Sequence, residues 1–174
     1  MPPPSPTAQG LVGHIADLRR YARALTGDAW AADDLVQDTL ERACARWALW
    51  AVGSDLRAWL FTLMHNLFVD GARRTSRQQA GHVDLDEVGE LAAPAAGTDQ
   101  ALDLQRCLLR LPDAQREALL LVSLQDLGYE DVARITGVPV GTVMSRLSRA
   151  RARLRAMMEG QPAPGAATPL RRLK

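Results

Sequence analysis

Cysteine is scarce in this sequence: of 174 residues only Cys44 and Cys107 are cysteines, far apart in the chain and both at apolar positions of a helical repeat. That arrangement favours a pair of buried structural thiols over a disulfide or a metal role. Histidine is equally sparse. His14, His65 and His82 are dispersed, so no pair has metal-ligand spacing. The adjacent Asp33 and Asp34 share one exposed helix end, which is not the geometry of a catalytic acid–base pair. Neither an enzyme nor a bound metal or cofactor is expected. Long apolar runs are missing as well. The best stretch, around residues 56–69, is interrupted by Arg57 and His65 and falls short of the roughly 20 apolar residues of a membrane span. The opening segment carries Pro2, Pro3, Pro4 and Pro6 without a basic region or an apolar core, so no secretion signal is read there and a cytoplasmic location is expected. No convincing period-two strand pattern occurs, which points to an all-α protein.

What is present is charge segregation. The net charge is only +1, but the mean hides blocks. From Asp28 to Glu41 there are five acidic residues and no basic one. From His82 to Asp103 there are six more acids, again without Lys or Arg. From Val140 to Gly160 five arginines face Glu159 alone. Such blocks suit different partners, protein for the acidic surface and phosphate for the basic one.

Helical periodicity divides the chain. Leu11, Ile15, Leu18, Ala22 and Leu25 mark a first amphipathic helix, stopped at Thr26-Gly27-Asp28, where Gly27 is a C-cap and Asp28 an N-cap for the next. The second helix places Leu35/Val36, Thr39/Leu40, Ala43/Cys44 and Trp47 on one face, and Asp33, Asp34, Gln37, Asp38 and Glu41 on the other. Ser54 or Asp55 can cap a third helix with a broad stripe of Leu56, Trp59/Leu60, Leu63, Leu67/Phe68 and Ala72. Periodicity then fades from Arg74 to about Thr98. The expected domains are 8–76, an acidic flexible linker at 77–98, a second domain at 99–159 and a disordered basic tail at 160–174. In the second domain, Pro112 is expected at the first position of a helix whose buried stripe is Ala114, Ala118, Leu121 and Val122.

The stretch Tyr129 to Val143 has a helix–turn–helix pattern. Val132 and Ile135 bury a short helix, Ala133 permits a close crossing, Gly137 permits a left-handed turn, and Pro139 opens the second helix. Val143, Leu147, Ala150 and Leu154 form that helix's inward stripe. Its outward face holds Met144, Ser145, Ser148 and Arg149, flanked by Arg146, Arg151 and Arg153. Outward residues near the helix start suit base edges in a major groove, and the flanking arginines suit phosphates. In the first domain, Trp47, Trp50 and Trp59 surround the Val52–Asp55 loop ahead of Asn66, Arg73, Arg74 and Arg77. Aromatics beside polar side chains and arginines suit unstacked bases.

Four motifs stand in order: Asp33-Asp34-Leu35-Val36-Gln37-Asp38-Thr39-Leu40, Arg57 to Asn66, Leu111-Pro112-Asp113-Ala114-Gln115-Arg116-Glu117-Ala118, and Pro139 to Leu147. With them the chain resembles the extracytoplasmic-function sigma factors, which have sigma regions 2 and 4 only, over about Leu11 to Met157. The resemblance implies two small helical domains. Asp34, Gln37 and Asp38 would dock on the clamp of the largest subunit of RNA polymerase core. Trp50, Val52, Ser54, Asp55, Asn66, Arg73 and Arg74 would capture the −10 element. Met144, Ser145, Arg146, Ser148, Arg149, Arg151 and Arg153 would read the −35 element near the flap of the second-largest subunit. Family members often carry Arg where Met144 stands and an aromatic where Ser148 stands, so a different −35 sequence is expected. An anti-sigma factor is the expected regulator, and the free chain is expected to be a monomer. The alternatives are a helix–turn–helix regulator acting as a homodimer on a palindrome, and a sigma mimic that sequesters an anti-sigma protein.

Overall fold

The computed structural model describes residues 8–47, 50, 55–80 and 99–160. These form seven helices and, among the described residues, no strand: α1 (Ala8–Thr26), α2 (Ala29–Ala45), α3 (Leu56–Ala80), α4 (Asp99–Leu109), α5 (Asp113–Ser123), α6 (Tyr129–Thr136) and α7 (Val140–Met158).

Local chemistry sets the boundaries. At the end of α1, Gly27 adopts φ +75°, a left-handed conformation that glycine enters without a Cβ penalty. Asp28 then caps α2, its carboxylate accepting the Ala31 N–H at 2.7 Å. Asp55 does the same for α3, accepting from Ala58 N at 3.2 Å. The turn between α6 and α7 is Gly137 at φ +65°, followed by Pro139, which stands at the N-cap of α7. Pro112 likewise sits at the N-cap of α5 and not inside its first turn, one residue earlier than expected. Helix α3 continues to Ala80, past the expected domain end at 76. The rest of the expected linker, 81–98, and the tail beyond 160 lie outside the described residues.

Two bundles result. In the first, Leu18, Tyr21, Ala22 and Leu25 of α1 meet Ala32, Val36 and Ala43 of α2 and Leu60, Phe61 and Met64 of α3. Tyr21 and Phe61 pack edge to face at 5.2 Å, the arrangement that aromatic quadrupoles favour. In the second, Leu108, Leu111, Ala118, Leu121, Val132, Ile135, Val143, Leu147 and Ala150 form the core. The bundles also pack on each other, α1 against α4 and α5, and α3 against α6.

Two expectations from periodicity fail. Cys44 is exposed and Cys107 only partly buried, so neither is a buried thiol. The buried face of α2 is Ala32, Val36, Thr39 and Ala43, and one residue beyond Ala43 the helix has turned about 100° toward solvent. The single buried stripe of α5 also fails. Ala114 is exposed, while every residue from Gln115 to Leu121 is buried. The cause is tertiary: α5 is enclosed by α1, α6 and α7.

Candidate nucleic-acid and partner interfaces

The second bundle carries arginines along both flanks of the outward side of α7. Val132, Ala133 and Ile135 anchor α6, and Val143, Leu147 and Ala150 anchor α7 against it, which turns the opposite side of α7 outward. Met144 (53% exposed), Ser148, Arg149 and Arg151 stand in solvent, while Ser145, Arg146 and Arg153 are half-buried. Ser145 Oγ donates to the Thr142 carbonyl at 2.9 Å, so its hydroxyl is already engaged within the helix. Among the described residues none of Arg146, Arg149, Arg151, Arg153 and Arg155 pairs with a carboxylate. Unpaired guanidinium groups along one helix are the electrostatic footprint of a phosphate-binding surface. Sequence reasoning missed Tyr129 as a member of this face. It opens α6 and lines a groove of about 420 Å³ with Met144, Ser148, Arg151 and Arg155. Its place as the first residue of the helix–turn–helix pattern was the available signal.

The first bundle gathers Trp47, Trp50 and Trp59, as expected, while Trp30 of α2 stands 80% exposed. Trp47 is buried, with Trp50 at 4.9 Å and Trp59 at 6.3 Å between ring centroids. Trp47 belongs to the core, and Trp50 and Trp59, both half-buried, pack against it. Val52 and Ser54 lie outside the described residues. Asp55 is exposed, although its carboxylate is used as a helix cap. Asn66, Arg73 and Arg74 are exposed along α3. Spacings of eleven residues from Asp55 to Asn66 and seven to Arg73 are close to whole turns at about 3.6 residues each, so these side chains share one face of α3.

The exposed start of α2 carries Asp34, Gln37 and Asp38, and Gln37 Nε2 donates to Glu41 at 3.0 Å. Asp34 and Asp38, one turn apart, line a groove of about 480 Å³ with Leu35 and Phe68, walled on its far side by Asp113 and Arg116 of the second bundle.

Between the bundles lies a polar set that sequence reasoning did not single out. His65 Nδ1 donates to Glu117 Oε1 at 2.5 Å, and Glu117 is only 3% exposed. Burial, reinforced by the negative charge of Glu117, holds the Tyr21 phenol well above its usual range. Arg57 Nη2 donates to the Gln125 carbonyl at 2.6 Å and to Gln125 Oε1 at 2.9 Å. No signal in the sequence distinguishes these polar residues from solvated ones, because their burial depends on the second bundle.

A profile of the "Sigma2 domain of PhyR" matches residues 11–65, and one of "Sigma-70, region 4" matches residues 101–154. The ECF RNA polymerase sigma factor EcfG of Rhodopseudomonas palustris is 39% identical over 150 residues, spanning 85% of this chain and 82% of that protein. The ECF RNA polymerase sigma factor SigM of Mycobacterium tuberculosis is 35% identical over 141 residues, spanning 81% of this chain and 71% of that one. Among solved structures, the sigma factor RpoE of Bartonella quintana, crystallised with the anti-sigma factor NepR, superposes with a TM-score of 0.74 at 37% identity, covering 87% of this chain and 95% of RpoE.

Proposed function

The chain belongs to the extracytoplasmic-function (ECF) RNA polymerase sigma factors, and on that premise we propose that it brings bacterial polymerase core to its promoters through two readers carried on separate bundles. The observation that carries this is the coexistence of three surfaces on one small fold: the acidic start of α2, the exposed Asn66, Arg73 and Arg74 of α3, and the unpaired arginines of α7.

Each surface has a role that fits its chemistry. Asp34, Gln37 and Asp38 present carboxylates and an amide to a basic partner, the clamp of the largest subunit. Trp50, Asp55, Asn66, Arg73 and Arg74, with Val52 and Ser54, receive the −10 strand. A flipped base costs a few kcal/mol to unstack, and a pocket beside aromatic rings offsets that. Met144, Ser148 and Arg149 meet base edges of the duplex −35 element, while Arg146, Arg151 and Arg153 hold phosphates, with the bundle seated near the flap of the second-largest subunit. Ser145, whose hydroxyl caps inward, contributes by contact more than by hydrogen bonding.

The family is regulatory and not catalytic. No helix among the described residues is long and apolar enough to cross a membrane, and we place the chain in the cytoplasm, a monomer when free. Because RpoE of Bartonella quintana forms a complex with the anti-sigma factor NepR, we infer an anti-sigma factor for this chain too. Its unpaired α7 arginines distinguish it from a sigma mimic, which has no use for a DNA face.

Run-off transcription with core polymerase on a promoter library tests the reading. Start sites that require this protein are expected. Their absence, or a homodimer bound to a palindrome without polymerase, would sink it in favour of an ordinary helix–turn–helix regulator.

A further inference from the structure

We propose that Trp30 is the apolar anchor of the polymerase-docking surface, where its indole receives an arginine side chain of the largest subunit that Asp34 pairs from one turn away. This rests on the sigma-factor reading above and adds to it a residue and a kind of contact.

At 80% exposure Trp30 is the most exposed large apolar side chain among the described residues. A single exposed apolar residue is ordinary on a protein surface; its position on α2 sets this one apart. The core face of α2 is Ala32, Val36, Thr39 and Ala43. At about 100° per residue, Trp30 lies within about 60° of Asp33, Asp34, Gln37 and Glu41, and about 120–180° from each of the four buried residues. The ring therefore belongs to the acidic stripe and not to the bundle interior.

The charges around it are unevenly committed. Asp33 is held by Arg19, whose Nε lies 3.4 Å from its carboxylate, and Glu41 accepts from Gln37 at 3.0 Å. Asp34 and Asp38 are exposed and, among the described residues, pair with no cation. Trp30 and Asp34 are four residues apart, so they are neighbours on the helix surface. A guanidinium laid on the indole face, within about 6 Å of the ring centroid, can turn its N–H edge to that carboxylate. An ammonium is a compact point charge, without the plane that covers a ring or the fork that fits a carboxylate. Arginine is therefore the guest that satisfies both side chains at once.

Complementarity identifies where that arginine comes from. Five carboxylates between Asp28 and Glu41, with no basic residue among them, draw a basic segment. Exposed charge pairs steer an encounter but add little affinity. A tryptophan beside them supplies what they lack, apolar area that leaves water on binding. Tryptophan and arginine are also the residues in which interface energy concentrates. Because Trp30 is continuous with Asp34, Gln37 and Asp38, the polymerase surface that seats on those residues also covers the indole.

Affinity of the full chain for core polymerase, measured by competition with a dye-labelled parent, is the test. Trp30→Ala should weaken binding at least about tenfold, and Trp30→Phe, which keeps a ring, by no more than about threefold. Both should bind a duplex −35 fragment like the parent, since the fold does not use this ring. Asp34→Asn should also weaken core binding. Trp30→Ala/Asp34→Asn should then lose less than the product of the two single losses, because both side chains hold one guest. Unchanged core affinity in Trp30→Ala, or single losses that simply multiply, overturns the proposal. A benzophenone amino acid placed at position 30 should cross-link to the largest subunit. A cross-link only to another subunit, or only within the chain, overturns it too, and this result decides the matter if Trp30→Ala loses duplex binding as well. If Asp34→Asn weakens core binding and Trp30→Ala does not, the docking surface stands without its anchor. If the parent itself fails to bind core, the sigma-factor reading falls and the anchor with it.

Discussion

A guanidinium only 6% exposed is an unusual thing to find in a helix read from sequence as half solvated, and Arg116 is one. Its Nη1 donates to the carbonyls of Leu109 and Leu111 at 3.2 and 3.1 Å, and its Nη2 to Asp113 at 2.8 Å. Leu109 ends α4 and Leu111 lies in the link to α5, where carbonyls lack intrahelical donors, so Arg116 closes the end of one helix from the start of the next. Arg116→Ala leaves those carbonyls short of a charged donor and is expected to cost about 2–4 kcal/mol, read as a lower urea midpoint with an unchanged slope. Arg116→Lys should recover only part, since an ammonium cannot serve carbonyls and carboxylate with one planar fork. Tyr21 makes a prediction about pH. Its phenol is pushed well above the ordinary value by burial and then by the charge of Glu117. The folded state therefore holds this proton more tightly than the unfolded chain does. Stability from Tyr21 is intact below the unfolded value of about 10 and drains as pH rises through the folded one. Comparing urea midpoints at about pH 8 and pH 11, the parent should lose more stability than Tyr21→Phe; an equal loss would remove Tyr21 from the account.

Elements divide into those whose ends are written in local chemistry and those decided by neighbours. Gly27 and Gly137 both take positive φ, and both turns were legible in advance. Their surroundings differ. A Cβ on Gly137 meets nothing within 4 Å, whereas one on Gly27 would lie 2.5 Å from Leu109 Cδ1 of the second bundle. Gly137→Ala should thus cost about 1–2 kcal/mol of left-handed strain alone. Gly27→Ala adds a clash at the contact between bundles, so its thermal midpoint should fall further. Equal midpoints for the two variants would contradict the packing of Leu109. The same distinction explains what the sequence could show. The helix–turn–helix, the inward stripe of α7 and the caps Asp28 and Asp55 depend on residues within a turn or two, and they were readable. The enclosure of α5 and the burial of Glu117 and Gln125 depend on how one bundle meets the other, which no period of 3.6 encodes. Tyr129 sits between these cases, at a legible helix start but on a face that only the crossing of α6 over α7 reveals.

At the scale of the whole molecule, the proposed function makes the two bundles separable in assay though they touch in structure. Asn66, Arg73 and Arg74 share one side of α3, and Arg149 and Arg151 stand on α7, so damage to each face should register on a different nucleic-acid probe. Asn66→Ala should leave binding to a duplex −35 fragment unchanged and reduce promoter opening by holoenzyme, followed through reactivity of unpaired thymines near the start site. Arg149→Ala should do the reverse on the duplex, weakening it by about 1–3 kcal/mol if the side chain meets a base edge, with relaxed preference at one position. Arg151→Ala tests the phosphate role: affinity should fall similarly for all sequences, and the slope of log K against log salt should become shallower by about 0.9. The unpaired state of these arginines sharpens the expectation, because no carboxylate within reach among the described residues has to be displaced before a phosphate binds. If Asn66→Ala and Arg149→Ala weaken duplex binding equally, the bundles do not divide the promoter between them, and the face of α3 needs another role.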